Sequence, residues 1–89
     1  MSNETEIIMY STTWCGDCKR SKRFLDEYGI EYTDHDVDAE PEAKRWVMEM
    51  NNGRSPVPTI IFPDGSILVE PSNEQLAAKL NIDLNRAFV

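Results

Sequence analysis

The amino-acid sequence predicts an α/β domain, with a four-stranded mixed sheet in the order β-α-β-α-β-β-α flanked by three helices. Short apolar or β-branched runs alternate with stretches of helical period. Two strand–helix units come first, which implies a parallel pair joined by a right-handed crossover. A Pro63-Asp64-Gly65 turn between two apolar triplets then implies a hairpin, which adds antiparallel strands.

Glu6-Ile7-Ile8-Met9-Tyr10 reads as a short buried strand, and Ser11-Thr12-Thr13-Trp14 as the loop after it. A helix is expected from about Cys15 to Tyr28, because Ser21, Phe24, Leu25 and Tyr28 recur at the spacing of one inward face. Gly29 is placed to end it in the left-handed conformation. Ile30 to Val37 reads as the second strand, with Tyr32 and Val37 as its apolar contributors. The second helix begins at Pro41, a residue suited to a first helical turn because its missing N–H is not needed there. Its apolar stripe is Ala43, Trp46, Val47 and Met50, and Asn51-Asn52-Gly53 terminates it. Thr59-Ile60-Ile61-Phe62, between Pro58 and Pro63, is a third strand, and Ser66 to Val69 returns as the fourth. Ser72 with Gln75 forms a capping box that announces a third helix to about Leu80. The stretch from Asn81 to Val89 reads either as an extension of that helix or as a frayed end.

At 89 residues the chain is expected to be a single domain, 1–89, with its core at about 6–82 and a tail at 83–89. Apolar runs such as Ile60–Phe62 and Ile67–Val69 are far shorter than the roughly 20 residues of a membrane span. The polar, acidic start lacks the basic and apolar segments of a signal peptide, so a cytoplasmic address is expected, with no membrane partner. The formal net charge of −7 argues against nucleic acid, whose phosphates need an excess of Lys and Arg. The charges are unevenly spread. Four of the nine basic residues fall in Lys19–Arg23, and half of the sixteen acidic ones between Asp26 and Glu42.

Two cysteines, Cys15 and Cys18, stand in a C-x-x-C pair. Such a pair alone is compatible with half a zinc site, a structural disulfide or a redox couple. Zinc takes four ligands, and one distant histidine, His35, is all the chain adds to the two thiols apart from carboxylates, so no metal site is expected. A bridge between residues three apart closes a very small loop and gains little entropic stabilisation. The context favours redox chemistry: the pair follows a strand and opens a helix. The first sulfur then meets unpaired N–H groups and the positive end of the helix dipole, both of which favour thiolate over thiol.

Trp14-Cys15-Gly16-x-Cys18 after a strand, Val57-Pro58-Thr59 some forty residues on, and the Asp64-Gly65 hairpin together resemble the glutaredoxins of the thioredoxin superfamily. Among these the likeness is nearest to the mycoredoxins, the mycothiol-linked glutaredoxins with a Trp-Cys-Gly-Tyr-Cys motif. The resemblance covers roughly residues 6 to 82. It implies a thioredoxin/glutaredoxin fold and thiol–disulfide oxidoreductase activity on disulfide-containing proteins and small-thiol mixed disulfides. No bound cofactor is implied, only a low-molecular-weight thiol, mycothiol or glutathione, as co-substrate, and a monomer. It also implies Cys15 as nucleophile, Cys18 as resolving thiol, and a cis Val57–Pro58 bond. Val57 would offer its backbone N–H and C=O to substrate as an added strand would.

Several positions depart from the glutathione-using pattern. Thr12 stands where a lysine is usual, Pro56 precedes Val57-Pro58, and Glu70-Pro71-Ser72-Asn73-Glu74 replaces a Gly-Gly segment. Mycoredoxins share the missing lysine and the Pro-Ser pair, so a mycothiol-type thiol is expected over glutathione. Thr12, Trp14, Asp17, Val57, Pro58, Ser72 and Asn73 are the expected contacts to substrate or thiol. Asp17 opposes thiolate formation at Cys15, whereas Lys19 and the helix end favour it. Trp46 and His35 are expected to be structural. The alternatives are an iron–sulfur cluster carrier bridging two chains, or a redoxin reduced directly by a thioredoxin-reductase-like flavoenzyme.

Overall fold

The computed structural model describes residues 6–83. Its elements are β1 (Ile7–Ser11), α1 (Gly16–Glu27), β2 (Tyr32–Asp36), α2 (Pro41–Met50), β3 (Thr59–Ile61), β4 (Ile67–Val69) and α3 (Asn73–Leu80). The expected order holds, and so does the sheet of four strands. The strands lie in the order β2-β1-β3-β4, with β1 parallel to β2 and antiparallel to β3, and β3 antiparallel to β4. β1 is thus an inner strand, and the loop leaving its end carries the cysteine pair.

Residues along a strand alternate between its two faces, and in β1 this divides the molecule. Ile7, Met9 and Ser11 are buried on one face; Ile8 and Tyr10 are half-buried on the other. The first face meets α1 and α3 in a core of Ile7, Met9, Phe24, Leu25, Ile60, Phe62, Leu76 and Ala77. The second face is covered by α2, whose one fully buried residue is Val47. Trp46 is half-buried there and stacks on Tyr10 at 4.9 Å between ring centroids. The expected apolar stripe of α2 is therefore a half-covered one, because a single helix shields this face where two shield the other.

Helix ends follow local chemistry. Gly29 adopts φ +67, which lets its own N–H reach the Asp26 carbonyl at 3.2 Å and the Ile30 N–H reach Leu25 at 2.8 Å. This is a Schellman closure, and a side chain at Gly29 would be strained in it. Asn81, at φ +62, ends α3 in the same way, with Ile82 N–H on the Ala77 carbonyl at 2.8 Å. The helix therefore does not run on past Leu80, and residues 84–89 of the tail lie outside the described residues. Ser72 caps α3 with both bonds of the capping box: Gln75 N–H to its hydroxyl at 3.1 Å, and its own N–H to the Gln75 side-chain Oε1 at 2.8 Å. β2 is shorter than the sequence suggests, Tyr32–Asp36 in place of Ile30–Val37. Ile30 is spent on the helix closure, and Val37 N–H crosses to the Ser11 carbonyl at 2.9 Å beyond the last paired residues.

Leu25 is fully buried between α1, β1 and α3. Leu25→Ala is expected to cost about 2–5 kcal/mol of stability, by lost transfer energy and the cavity left behind. Urea unfolding followed by circular dichroism measures it.

Candidate active site

Cys15 is not the first residue of α1 but its N-cap, with extended backbone at φ −88 and ψ 118. The first turn of a helix leaves its N–H groups without carbonyl partners. Cys18 N–H, one of these, donates to Cys15 Sγ at 3.1 Å. The sulfur thus occupies the place that a serine or aspartate oxygen takes in ordinary caps, and an N–H donor aimed at sulfur stabilises its anion. On its other side Cys15 Sγ donates to the Val57 carbonyl at 3.6 Å, the bond between Val57 and Pro58 being cis. Residues 42 positions apart are therefore in contact at the motif.

The second cysteine is set differently. Cys18 is fully buried, whereas Cys15 keeps 7% of its surface, and both are free thiols. Burial, and then the hydrogen bond it makes to Cys15, push the Cys18 thiol up to about 12, against the opposing pull of the Thr12 backbone N–H and the Lys22 ammonium. One thiol is reachable and offered N–H stabilisation, and the other is buried and held as the neutral acid.

The structure arranges the remaining expected residues around this pair at unequal distance. Among the described residues Trp14 is the most exposed of the large apolar side chains, at 70%, yet it is not loose: its indole Nε1–H donates to Asp38 Oδ2 at 2.8 Å. Asp17 is exposed in the first turn of α1, where Arg20 engages it at 3.0 Å. The other Arg20 nitrogen donates to the Pro71 carbonyl at 3.2 Å, which ties α1 to the start of α3. Glu70 N–H bonds to the Pro58 carbonyl at 2.8 Å, so the Pro71-Ser72-Asn73 segment adjoins the Val57–Pro58 loop. Ser72 is occupied as a cap, and the buried Asn73 Oδ1 has no hydrogen-bond partner among the described residues. Thr12 is 3% exposed, and its backbone, not its hydroxyl, reaches Cys18. His35 lies on β2, half-buried against Tyr10 and bonded through Nδ1 to Glu40 at 2.9 Å.

Two sets of residues escape the sequence reading. Asp38, the anchor of Trp14, lies 24 residues away and carries no local signal. Lys22, and not Lys19, the cluster member singled out by its position beside the motif, is the cation whose charge acts on Cys18. Helical spacing was the signal that could have found it, since Lys22 is four residues beyond Cys18 on the same helix face.

The glutaredoxin family model matches residues 7–67, a span that includes both cysteines and the Val57–Pro58 bond. Mycoredoxin 1 of Corynebacterium glutamicum is 39% identical over 80 residues, covering 90% of this chain and 95% of that protein. The chain belongs to the glutaredoxin family. A Mycobacterium tuberculosis protein named as a glutaredoxin is also 39% identical, over 74 residues that cover 83% of this chain and 88% of the relative. The crystal structure of the glutaredoxin from Methanosarcina mazei superposes with a TM-score of 0.72 at 26% identity, over 89% of this chain and 81% of that one. The fold is accordingly the thioredoxin/glutaredoxin fold. Membership makes the chain a thiol–disulfide oxidoreductase of the class that acts on protein disulfides and small-thiol mixed disulfides. Proteins of this class use a low-molecular-weight thiol as co-substrate and no prosthetic group. Among the described residues, no helix is long and apolar enough to cross a membrane.

The contrast between the two thiols has a direct chemical readout. Iodoacetamide on the reduced protein at neutral pH is expected to label Cys15 alone. Cys18 should become labelled only at strongly alkaline pH, since a thiol pushed up to about 12 is almost wholly protonated below it. Peptide mass spectrometry across a pH series checks this; comparable labelling of both at neutral pH would contradict it.

Proposed function

We propose that this glutaredoxin-family protein reduces mixed disulfides between proteins and a low-molecular-weight thiol, with Cys15 as nucleophile and Cys18 as resolving thiol. The observation that carries the reading is the seat of Cys15 Sγ, between the Cys18 N–H at 3.1 Å and the Val57 carbonyl at 3.6 Å. In the first step the Cys15 thiolate attacks the small-thiol sulfur of the mixed disulfide. A bond forms between those two sulfurs, the bond to the protein sulfur breaks, and the protein thiolate leaves and takes a proton. A second small thiol, or Cys18, then displaces the thiol from Cys15. Val57 receives the substrate chain along its backbone, and Trp14, pinned by Asp38, offers a flat apolar face beside the sulfur.

The small thiol is of the mycothiol type in preference to glutathione. Supporting this are the likeness to mycoredoxin 1, the absence of a lysine at Thr12 and the Pro71-Ser72 pair. The charge also fits. Asp17, Asp36, Asp38 and Glu40 lie in or next to the motif and the β2–α2 connection, and a thiol with two carboxylates meets more repulsion there than an uncharged sugar-linked one. The protein works in the cytoplasm as a monomer.

A reductant panel tests both levels. One model mixed disulfide is supplied with mycothiol, glutathione, bacillithiol or a thioredoxin-reductase-type flavoenzyme. Turnover is expected to be fastest with mycothiol, absent in Cys15→Ser, and partly retained in Cys18→Ser through the monothiol route. Full activity of Cys15→Ser would overturn the reading, and glutathione outrunning mycothiol would overturn the choice of thiol. A brown chromophore in anaerobically purified protein would point to cluster carriage.

A further inference from the structure

Beside the cysteine pair lies a polar network, partly open to solvent, that the reaction just described does not use. Asp34 faces α1 from β2, since it pairs in register with the buried Met9 of β1. One of its carboxylate oxygens lies 2.8 Å from the Lys22 ammonium. The other accepts the Ser11 hydroxyl at 2.6 Å. Ser11 is buried at the end of β1, and the next residue, Thr12, directs its backbone N–H to the Cys18 sulfur. Lys22 follows Cys18 by one turn of α1, so both side chains leave the helix on the same side. Asp34 therefore makes two contacts at once: with the cation one helical turn beyond Cys18, and with the residue that precedes Thr12.

We propose that Lys22 promotes the resolving step by supplying positive charge to the Cys18 sulfur, with Asp34 and Ser11 as the residues that position it. The inference rests on the reading of Cys18 as the resolving thiol. A fully buried thiol makes a poor nucleophile, because its anion must form away from water. Cys15 cannot help once it is itself in a mixed disulfide. The charged and titratable groups that act on Cys18 are Cys15 and Lys22, and Lys22 favours the anion. Those that act on Lys22 are Asp34 and Tyr32 of β2 and Cys18 itself. Burial is the largest single influence on Lys22 and would weaken its charge, but the Asp34 hydrogen bond and carboxylate charge, together with Tyr32 and Cys18, outweigh it and hold the ammonium above its ordinary range. The third element packed on this side, α3, turns the apolar Leu76 and Ala77 inward. In the step itself Cys18 Sγ forms a bond to Cys15 Sγ, and the bond from Cys15 to the partner sulfur breaks. The partner leaves with the electron pair and takes up the proton that Cys18 gave.

Rapid mixing of the reduced protein with 5,5′-dithiobis(2-nitrobenzoate) separates the two steps. The first nitrothiobenzoate released reports attack by Cys15, and the second reports attack by Cys18 on the mixed disulfide. In K22Q the second release is expected to slow roughly threefold to tenfold at neutral pH, with its pH midpoint moved up by about half to one unit, because a stabilising cation has been removed. K22R should restore the wild-type profile, and the first release should change less than the second. K22M, which keeps the apolar stem, is a second neutral variant should K22Q be poorly folded by circular dichroism. A second-release profile in the neutral variants that superposes on wild type would overturn the proposal, as would a shift that K22R shares. If the wild type itself gives only one release, as Cys18→Ser must, the assignment of Cys18 as resolver fails and the inference falls with it.

Discussion

The Cys18 amide has no carbonyl to bind within its own helix, because a helix begins with unpaired N–H groups, and the sulfur of Cys15 takes it at 3.1 Å. Much of the reactive end follows from that bond. It requires Cys15 to stand outside the helix in extended backbone, which in turn requires the chain to arrive from the end of β1. It also separates the fates of two chemically identical side chains. The residue that caps the helix keeps a small part of its surface open to solvent, whereas the residue one turn in follows the face that carries Ser21, Phe24 and Leu25 fully into the interior. Spacing and helix geometry therefore divide two thiols into an accessible one and a buried one without any further residue to distinguish them.

The basic cluster of α1 divides its work in the same way. A run of four cations on an acidic chain reads as one patch, but the helix turns its members in different directions. Arg20 joins Asp17 to the Pro71 carbonyl, and so holds the start of α3 against α1. Lys22 turns toward β2 and Asp34. Lys19 and Arg23 stay exposed. Exposed ion pairs contribute little to stability, typically about 0–1 kcal/mol, so the consequence of these contacts lies in placement. They set where a loop, a strand and a carboxylate stand relative to two sulfurs.

Most of the fold was legible because its signals are local. The apolar run of β1, the inward face of α1, Pro41 at the start of α2, the Ser72–Gln75 box and the Asp64-Gly65 turn each act over a few residues and each is realised, although β1 lies one residue on, at Ile7–Ser11 where the sequence suggests Glu6–Tyr10. Boundaries moved where neighbouring elements compete for the same residue. Ile30 reads as strand by composition, yet its N–H is needed to close α1. Trp46 reads as core by helical spacing, yet α2 covers its sheet face alone and leaves the ring half-buried on Tyr10.

The sequence by itself determined the order of elements and the cysteine pair at a strand-to-helix junction, because each depends on chemistry within one or two turns of chain, whereas the proline loop near that pair was implied only by the family resemblance. Only the tertiary structure decided what surrounds the sulfurs. Val57 meets Cys15 from 42 residues away, Asp38 fixes Trp14 from 24, and Asp34 gathers Ser11 and Lys22 across two elements. These contacts depend on strand register and on which way a helix face turns once it is packed. A side chain's partner across the sheet is chosen by the pairing of β1 with β2 and β3, and no local pattern in the chain encodes that choice.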